Sequence, residues 1–230
     1  MATRDVGVII AAGGSGSRTG SSELKQFRWI AGKPMLLHSL QRLQQRDDVA
    51  IVVCVLPREY VADPPPWIFQ CDTDRLLLSV GGKERQDSVL NGLEDVPAEC
   101  SIVLVHDAAR PFFTDSTVDA ALAAARDAKC AVPVLRITDT VKSLDADRRI
   151  TGTVDRRNLY RVQTPQAFPR AMLVSAHLAA RKDNFVGTDD AELCERSGFE
   201  CVGVPGSERA LKVTTEEDFA LAEALSILRE

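Results

Sequence analysis

Residues 8–25 read VIIAAGGSGSRTGSSELK, a β-branched apolar run that breaks into glycines and is followed by an arginine and a lysine. Gly13, Gly14 and Gly16 remove side chains where backbone N–H groups must approach an anion, and Arg18 and Lys25 bring positive charge to the same place. These are the parts of a triphosphate site. Two better-known glycine loops fail on spacing. The dinucleotide pattern G-x-G-x-x-G, begun at Gly14 and Gly16, meets Thr19 at its third glycine; the Walker lysine must follow a glycine directly, whereas Lys25 follows Leu24. A surface loop with solvated charges is the plain alternative.

A second glycine turn, Gly81-Gly82, follows the apolar segment 76–80, and the apolar segment 101–106 ends in Asp107-Ala108-Ala109-Arg110-Pro111. Asp107 at a strand end is placed either to hold Mg²⁺ together with phosphate oxygens or to cap the turn and pair with Arg110; the sequence weighs these equally. Lys212, within ALKV, either lies along a strand edge or points into a cleft. Arg156 and Arg157 read as a solvated face, and His106 as a satisfied strand-end histidine rather than a base. There is no Ser-His-Asp order, no metal-spaced set of His and Cys, and no nucleophile elbow. The chemistry left is positioning and charge neutralisation, the way phosphoryl and nucleotidyl transfer work.

The elements that must position these residues alternate. A helix entered at Pro34 carries Leu36, Leu37, Leu40 and Leu43 on one face; a buried strand covers 50–56; a helix over 85–93 turns Val89, Leu90 and Leu93 inward; an alanine-rich helix covers 115–128 and a strand 131–135. This is an α/β pattern, a doubly wound and mostly parallel sheet of Rossmann-like type whose ligands collect at the carboxyl ends of strands. Residues 57–71 contain Pro64-Pro65-Pro66 and predict an irregular excursion anchored by Trp67. Residues 137–159 alternate in polarity with no room for a crossover helix, which predicts a β-hairpin arm; a polar two-stranded arm is marginal alone and calls for packing on a second subunit. A helix over 169–182, a shorter one capped by Thr188 or Asp189 and stopped at Gly198, a strand over 210–213 and an amphipathic helix over 215–228 complete the chain.

The 230 residues suit one domain over the whole length. A net charge of −5 and a pI near 5.4 argue against nucleic acid as a partner. The six cysteines form no C-x-x-C and no metal spacing, so buried free thiols are expected; no apolar run approaches a membrane span, and a reducing cytoplasm fits both.

Taken together, AAGGSGSR with Lys25-Gln26, GGKERQDSVLNGL (81–93), VHDAARP (105–111), TDTVK (138–142), TVDR (153–156), TPQAF (164–168), TDDAE (188–192) and LKVT (211–214) resemble, in order and through nearly the whole chain, the 2-C-methyl-D-erythritol 4-phosphate cytidylyltransferase family of the non-mevalonate isoprenoid pathway. AAG-x-G-x-R alone is shared by many sugar-nucleotide transferases; VHDAARP with the arm and TPQ is much narrower. The resemblance implies CTP and methylerythritol phosphate as substrates and Mg²⁺ as cofactor. It implies that Arg18, Lys25 and Lys212 neutralise the α-phosphate and that Asp107 helps to hold the metal. Ala11, Ala12, Gly82, Lys83 and Ser88 would line the cytosine and ribose pocket, and Arg110, Thr140, Arg156, Thr164 and Thr188 would surround the polyol phosphate. The chain departs from the family pattern in a glycine loop one residue longer, in Thr19 for a common Met, and in Lys83 where an acidic residue is frequent. A sister enzyme using ribitol 5-phosphate, a non-catalytic nucleotide-binding protein and, less favoured because of Thr19, a nicotinamide oxidoreductase are the rival readings.

Overall fold

The computed structural model describes residues 4–14 and 24–228, so Gly16 and Arg18 lie outside the described residues. In chain order the strands are β1 (Val6–Ala11), β2 (Trp29–Ile30), β3 (Lys33–Pro34), β4 (Val49–Leu56), β5 (Leu76–Val80), β6 (Ile102–Asp107), β7 (Cys130–Arg136), β8 (Val141–Leu144), β9 (Ile150–Val154), β10 (Tyr160–Val162), β11 (Gln166–Pro169) and β12 (Cys201–Pro205). The helices are α1 (Met35–Gln44), α2 (Arg58–Ala62), α3 (Arg85–Asp95), α4 (Asp115–Arg126), α5 (Arg170–Lys182), α6 (Asp190–Arg196) and α7 (Glu216–Ile227).

Eight strands form one sheet in the order β10-β7-β11-β6-β1-β4-β5, with β12 on the free side of β7. β1 is parallel to both β4 and β6, and β4 to β5, so these strands deliver their carboxyl ends to one rim. Strand side chains alternate between faces. Val6, Val8 and Ile10 therefore pack with Leu36, Leu40 and Leu43 of α1 and Val118 and Leu122 of α4, while Ile9 packs with Val89 and Leu93 of α3 and Leu173 of α5 on the opposite face. Helices on both faces make this an α/β fold of the expected class. Beyond β6 the sheet turns antiparallel: β11 pairs with β6 and with β7, and β10 with β7. β10, β11 and β12 are not legible as strands in the sequence: β10 and β11 span only three and four residues, and β12 is not an unbroken apolar run, carrying Gly203 and Pro205.

Two expectations are corrected. Residues 57–71 are not irregular: α2 and a 3₁₀ turn over Pro66–Gln70 occupy them, since proline is tolerated in the first turn of a helix. Ile68, fully buried, anchors the segment, whereas Trp67 is half-buried against Phe27 with ring centroids 5.2 Å apart. Residues 210–213 do not form a strand. Ala210 and Val213 are buried, but no ladder joins the segment to the sheet: just past β6 the Ala109 carbonyl accepts from the Val213 N–H at 2.8 Å and Arg110 Nη1 donates to the Ala210 carbonyl at 2.7 Å.

The arm is present. β8 and β9 pair antiparallel, Val141 opposite Val154 and Lys142 opposite Thr153, in a two-stranded sheet separate from the main one. Asp145 shapes its turn by accepting from the backbone N–H groups of Asp147 and Arg149, at 3.0 and 2.9 Å. Residues 142–153 are all exposed. Cys54, Cys100, Cys130 and Cys194 are buried, Cys71 and Cys201 partly so, and all are free thiols. Among the described residues no helix is long and apolar enough to cross a membrane.

Candidate active site

The carboxyl ends of β1 and β6 and the turn after β5 enclose a cleft of about 310 Å³. Ala11, Ala12, Gly13, Gly14, Lys25, Gly82, Lys83, Ser88, Asp107 and Lys212, all singled out from the sequence, line it. The two glycine turns touch each other. A Cβ on Gly13 would lie 3.3 Å from the Gly81 Cα, whereas one on Gly14 would meet nothing within 4 Å. Gly13 therefore serves backbone packing, and Gly14 leaves its backbone open to the cleft. Gln26, buried beside them, donates from Nε2 to the carbonyls of Ala12 at 2.6 Å and Gly14 at 3.2 Å and so fixes the loop's entry. On the other wall the Gly82 N–H donates to Ser88 Oγ at 3.0 Å, and that hydroxyl donates to the Glu84 carbonyl at 3.1 Å, tying the second turn to the start of α3. A Cβ on Gly82 would fall 2.3 Å from Asp87 Cβ, so only glycine fits.

Asp107 sits where β6 ends, 9% exposed. Its Oδ1 accepts from Arg85 Nε at 3.0 Å and its Oδ2 from Lys212 Nζ at 2.8 Å, and Arg110 Nε is 3.8 Å from Oδ2. Burial alone would push its pKa up; the charges of Arg85, Lys212 and Arg110 outweigh that and hold the carboxyl well below the usual carboxylate range. It is thus ionised at any physiological pH. The backbone N–H of Asp107 donates to Thr164 Oγ1 at 3.0 Å, and that hydroxyl lies 3.0 Å from Nδ1 of the fully buried His106. Burial pushes the His106 pKa down to about 3, with the Arg110 and Arg85 charges adding to the effect, so this ring is neutral and structural, as a strand-end histidine should be.

Among the described residues no group of three or more His, Cys, Asp and Glu could hold a metal ion by itself. Mg²⁺ does not require one. It retains water and is held by one or two carboxylates plus substrate phosphates, and Asp107, anionic and facing a cleft lined by Lys25 and Lys212, is such a donor. The alternative reading, a turn residue that pairs with Arg110, has contacts in its favour: the Asp107 carbonyl accepts from the Arg110 N–H at 3.0 Å, and Arg110 Nε lies 3.8 Å from Asp107 Oδ2.

The remaining residues singled out from the sequence lie elsewhere. Thr164 is buried beneath Asp107 with its hydroxyl engaged inside the protein. Arg110 packs along the rim, donating to the carbonyls of Ala210 at 2.7 Å and Val162 at 3.2 Å. Thr188 accepts no cleft position; its N–H and hydroxyl both donate to Glu192, at 2.6 and 2.9 Å, at the entry to α6. Thr140 and Arg156 are on the exposed arm, where the Arg156 guanidinium donates to the Thr138 carbonyl. Sequence reasoning passed over Arg85 and Gln26, which line the cleft, and Asp190 behind Arg85. The first two were adjacent to residues singled out, Arg85 opening the helix after Gly81-Gly82 and Gln26 following Lys25.

The family model described as IspD, 2-C-methyl-D-erythritol 4-phosphate cytidylyltransferase, matches residues 6–230. A protein of that name from Syntrophus aciditrophicus is 41% identical over 219 residues, 94% of this chain and 93% of the relative. One from Caldanaerobacter subterraneus is 36% identical over 222 residues, covering 95% and 97% of the two chains. The crystal structure of 2-C-methyl-D-erythritol 4-phosphate cytidylyltransferase from Thermus thermophilus superposes with a TM-score of 0.83 at 34% identity, over 97% of this chain and all of that one. The chain belongs to the 2-C-methyl-D-erythritol 4-phosphate cytidylyltransferase family.

Proposed function

We propose that this protein transfers the cytidylyl group of CTP to 2-C-methyl-D-erythritol 4-phosphate, forming CDP-methylerythritol and pyrophosphate in isoprenoid precursor synthesis. The observation that carries the reading is one cleft that combines a glycine wall, Lys25 and Lys212 with the ionised Asp107. An oxygen of the methylerythritol phosphate bonds to the α-phosphorus of CTP as the bond from that phosphorus to the β-phosphate bridging oxygen breaks. The attacking phosphate is already anionic, so no base has to remove a proton. Lys25 and Lys212 face charge that grows on the α-phosphate, and Lys212 moves from Asp107 toward it as the nucleotide enters; Arg18 belongs to the same loop in sequence. Asp107 would hold Mg²⁺, which supplies neutralisation of the phosphate oxygens and of the departing pyrophosphate. The Gly82 and Ser88 wall accommodates the base.

The polyol-phosphate half of the site is completed, in this reading, by a second copy of the chain. Thr140 and Arg156 stand on an arm whose strands, among the described residues, pair only with each other, with Leu144 and Ile150 exposed at 53% and 66%. A two-fold pair of crossing arms would cover them and would bring Arg156 to the partner's cleft.

Pyrophosphate release from CTP, ATP, GTP and UTP, each with methylerythritol phosphate or ribitol 5-phosphate and with Mg²⁺ present or chelated, tests the reading. Turnover only with CTP, methylerythritol phosphate and Mg²⁺ is expected. Equal turnover of UTP, preference for ribitol 5-phosphate, or CTP binding without pyrophosphate release would overturn it.

A further inference from the structure

Arg85, the first residue of α3, bridges two carboxylates on different elements. Its Nε donates to Asp107 Oδ1 at 3.0 Å and its Nη1 to Asp190 Oδ2 at 2.6 Å. Asp107 faces the cleft. Asp190, the first residue of α6, does not line it: it is 1% exposed, and its Oδ1 is 3.0 Å from Nε2 of the buried His177 on α5. Burying a carboxylate against a guanidinium gives little net stability over an apolar pair of the same shape, because desolvation offsets the attraction. What such a pair defines is where the guanidinium sits.

The neighbourhood does not need Asp190 to hold α6 against α3. Gln86 already ties the preceding loop, donating to the Phe185 carbonyl at 3.0 Å and accepting from the Gly187 N–H at 3.0 Å. Asp189 caps α6 by accepting from the Glu192 N–H at 2.9 Å. With those contacts in place, and with Asp190 Oδ1 held by His177 of α5, what the Oδ2 of Asp190 adds is a fixed anion behind Arg85.

We propose that Asp190 is a positioning residue for cytidylyl transfer: it locks the Arg85 guanidinium from behind, and Arg85 thereby presents the Asp107 carboxylate to the cleft in one orientation. The inference rests on the proposed function, for which Asp107 must be aimed at the phosphates. It also accounts for charge during turnover. When a triphosphate draws Lys212 away from Asp107, Arg85 keeps a counter-charge in Asp190 and has no reason to follow it. Without Asp190, Arg85 answers to Asp107 and the phosphates alone and swings between them.

The full-length protein tests this in two ways. The Arg85 Nε–H resonance, assigned by its loss in Arg85→Lys and read without substrate, is expected to exchange with solvent at least about tenfold faster in Asp190→Asn than in the parent, at an unchanged backbone amide fingerprint. In turnover, Asp190→Asn is expected to lower kcat about ten- to a hundredfold with KM for CTP within about twofold, the pattern of a misplaced group rather than a lost binding contact. Combining it with Arg85→Lys should lower kcat no further than Arg85→Lys alone, because both act through one guanidinium. An unchanged Arg85 resonance, or losses that multiply, would assign Asp190 to the scaffold only. If Asp190→Asn does not fold, Arg85→Lys decides by itself: lysine keeps the charge but cannot bridge both carboxylates, so parental kcat in that variant would overturn the proposal. Absence of pyrophosphate release in the parent would reject the proposed reaction while leaving the resonance measurement to judge the Asp190 lock.

Discussion

Two ion pairs of nearly equal length, one in the cleft and one on the arm, sit in very different surroundings. Lys212 reaches Asp107 at 2.8 Å in the cleft, and Arg157 reaches Asp155 at 2.7 Å on the arm. The Asp107 side chain is 12% exposed, while those of Asp155 and Arg157 are 61% and 86% exposed. Distance does not separate them; solvent does. An ion pair in water gains little, because water screens it and two long side chains must be ordered to form it. In the cleft the same contact is one of several around a carboxylate that Arg85 also holds, on a residue whose backbone N–H is seated by Thr164. The cleft is preorganised for charge within one chain, whereas the arm's charges lie in solvent and, in the proposed reading, act only when a second chain covers them.

Four substitutions sharpen that contrast, in decreasing order of effect. Lys25→Ala removes a cation from the preorganised side and should lower kcat about 10²–10³-fold in pyrophosphate release, with KM for CTP nearly unchanged, by analogy with removal of one oxyanion donor. A raised KM with parental kcat would reduce Lys25 to a ground-state phosphate contact. Arg156→Ala removes a cation from the arm and should raise KM for methylerythritol phosphate about 10–100-fold, the value of a charged hydrogen bond of about 1.5–3 kcal/mol, while CTP binding by calorimetry stays parental. Asp107→Asn should move the Mg²⁺ midpoint of turnover up by about tenfold, since the amide keeps the shape but loses the charge that a hard cation needs; a parental metal titration would return Asp107 to the turn. Arg157→Ala, next to Arg156 but paired only with the exposed Asp155, should leave both KM values within about twofold.

The sequence made the rim of the cleft legible because each of its parts follows an apolar run. Ile9 and Ile10 precede the first glycine turn, Leu76–Val80 the second, and Ile102–Asp107 ends on its own carboxylate, so strand ends could be located by periodicity alone. Partners that cross the fold could not be. Nothing in residues 84–91 indicates that Arg85 meets Asp190, 105 positions away, because that contact exists only after α3 packs on β1, β4 and β5 and α6 on α5 and β7. Thr164 shows the converse. Its motif placed it near the substrate, yet in the fold its hydroxyl is the acceptor that seats the Asp107 backbone. Lys212 is expected on a strand because the residues around it in ALKV are apolar; Ala210 and Val213 are buried without a ladder, and Lys212 still reaches the site. The arm is legible as a hairpin through its alternation, whereas Thr140 and Arg156 are assigned to the polyol phosphate by motif resemblance alone, since the composition of an exposed arm carries no mark of what it binds.

The claim that the reaction needs the cleft of one chain and the arm of another is tested most directly by subunit mixing. Lys25→Ala and Arg156→Ala dimers, each nearly inactive at methylerythritol phosphate below the parental KM, are dissociated and re-associated in equal amounts. Half of the dimers are then mixed, and in each mixed dimer one site collects both lesions while the other has none. Recovery of about a quarter of the parental rate is the predicted result. No recovery, with subunit exchange verified by mass, would place Arg156 in the site of its own chain and contradict the account.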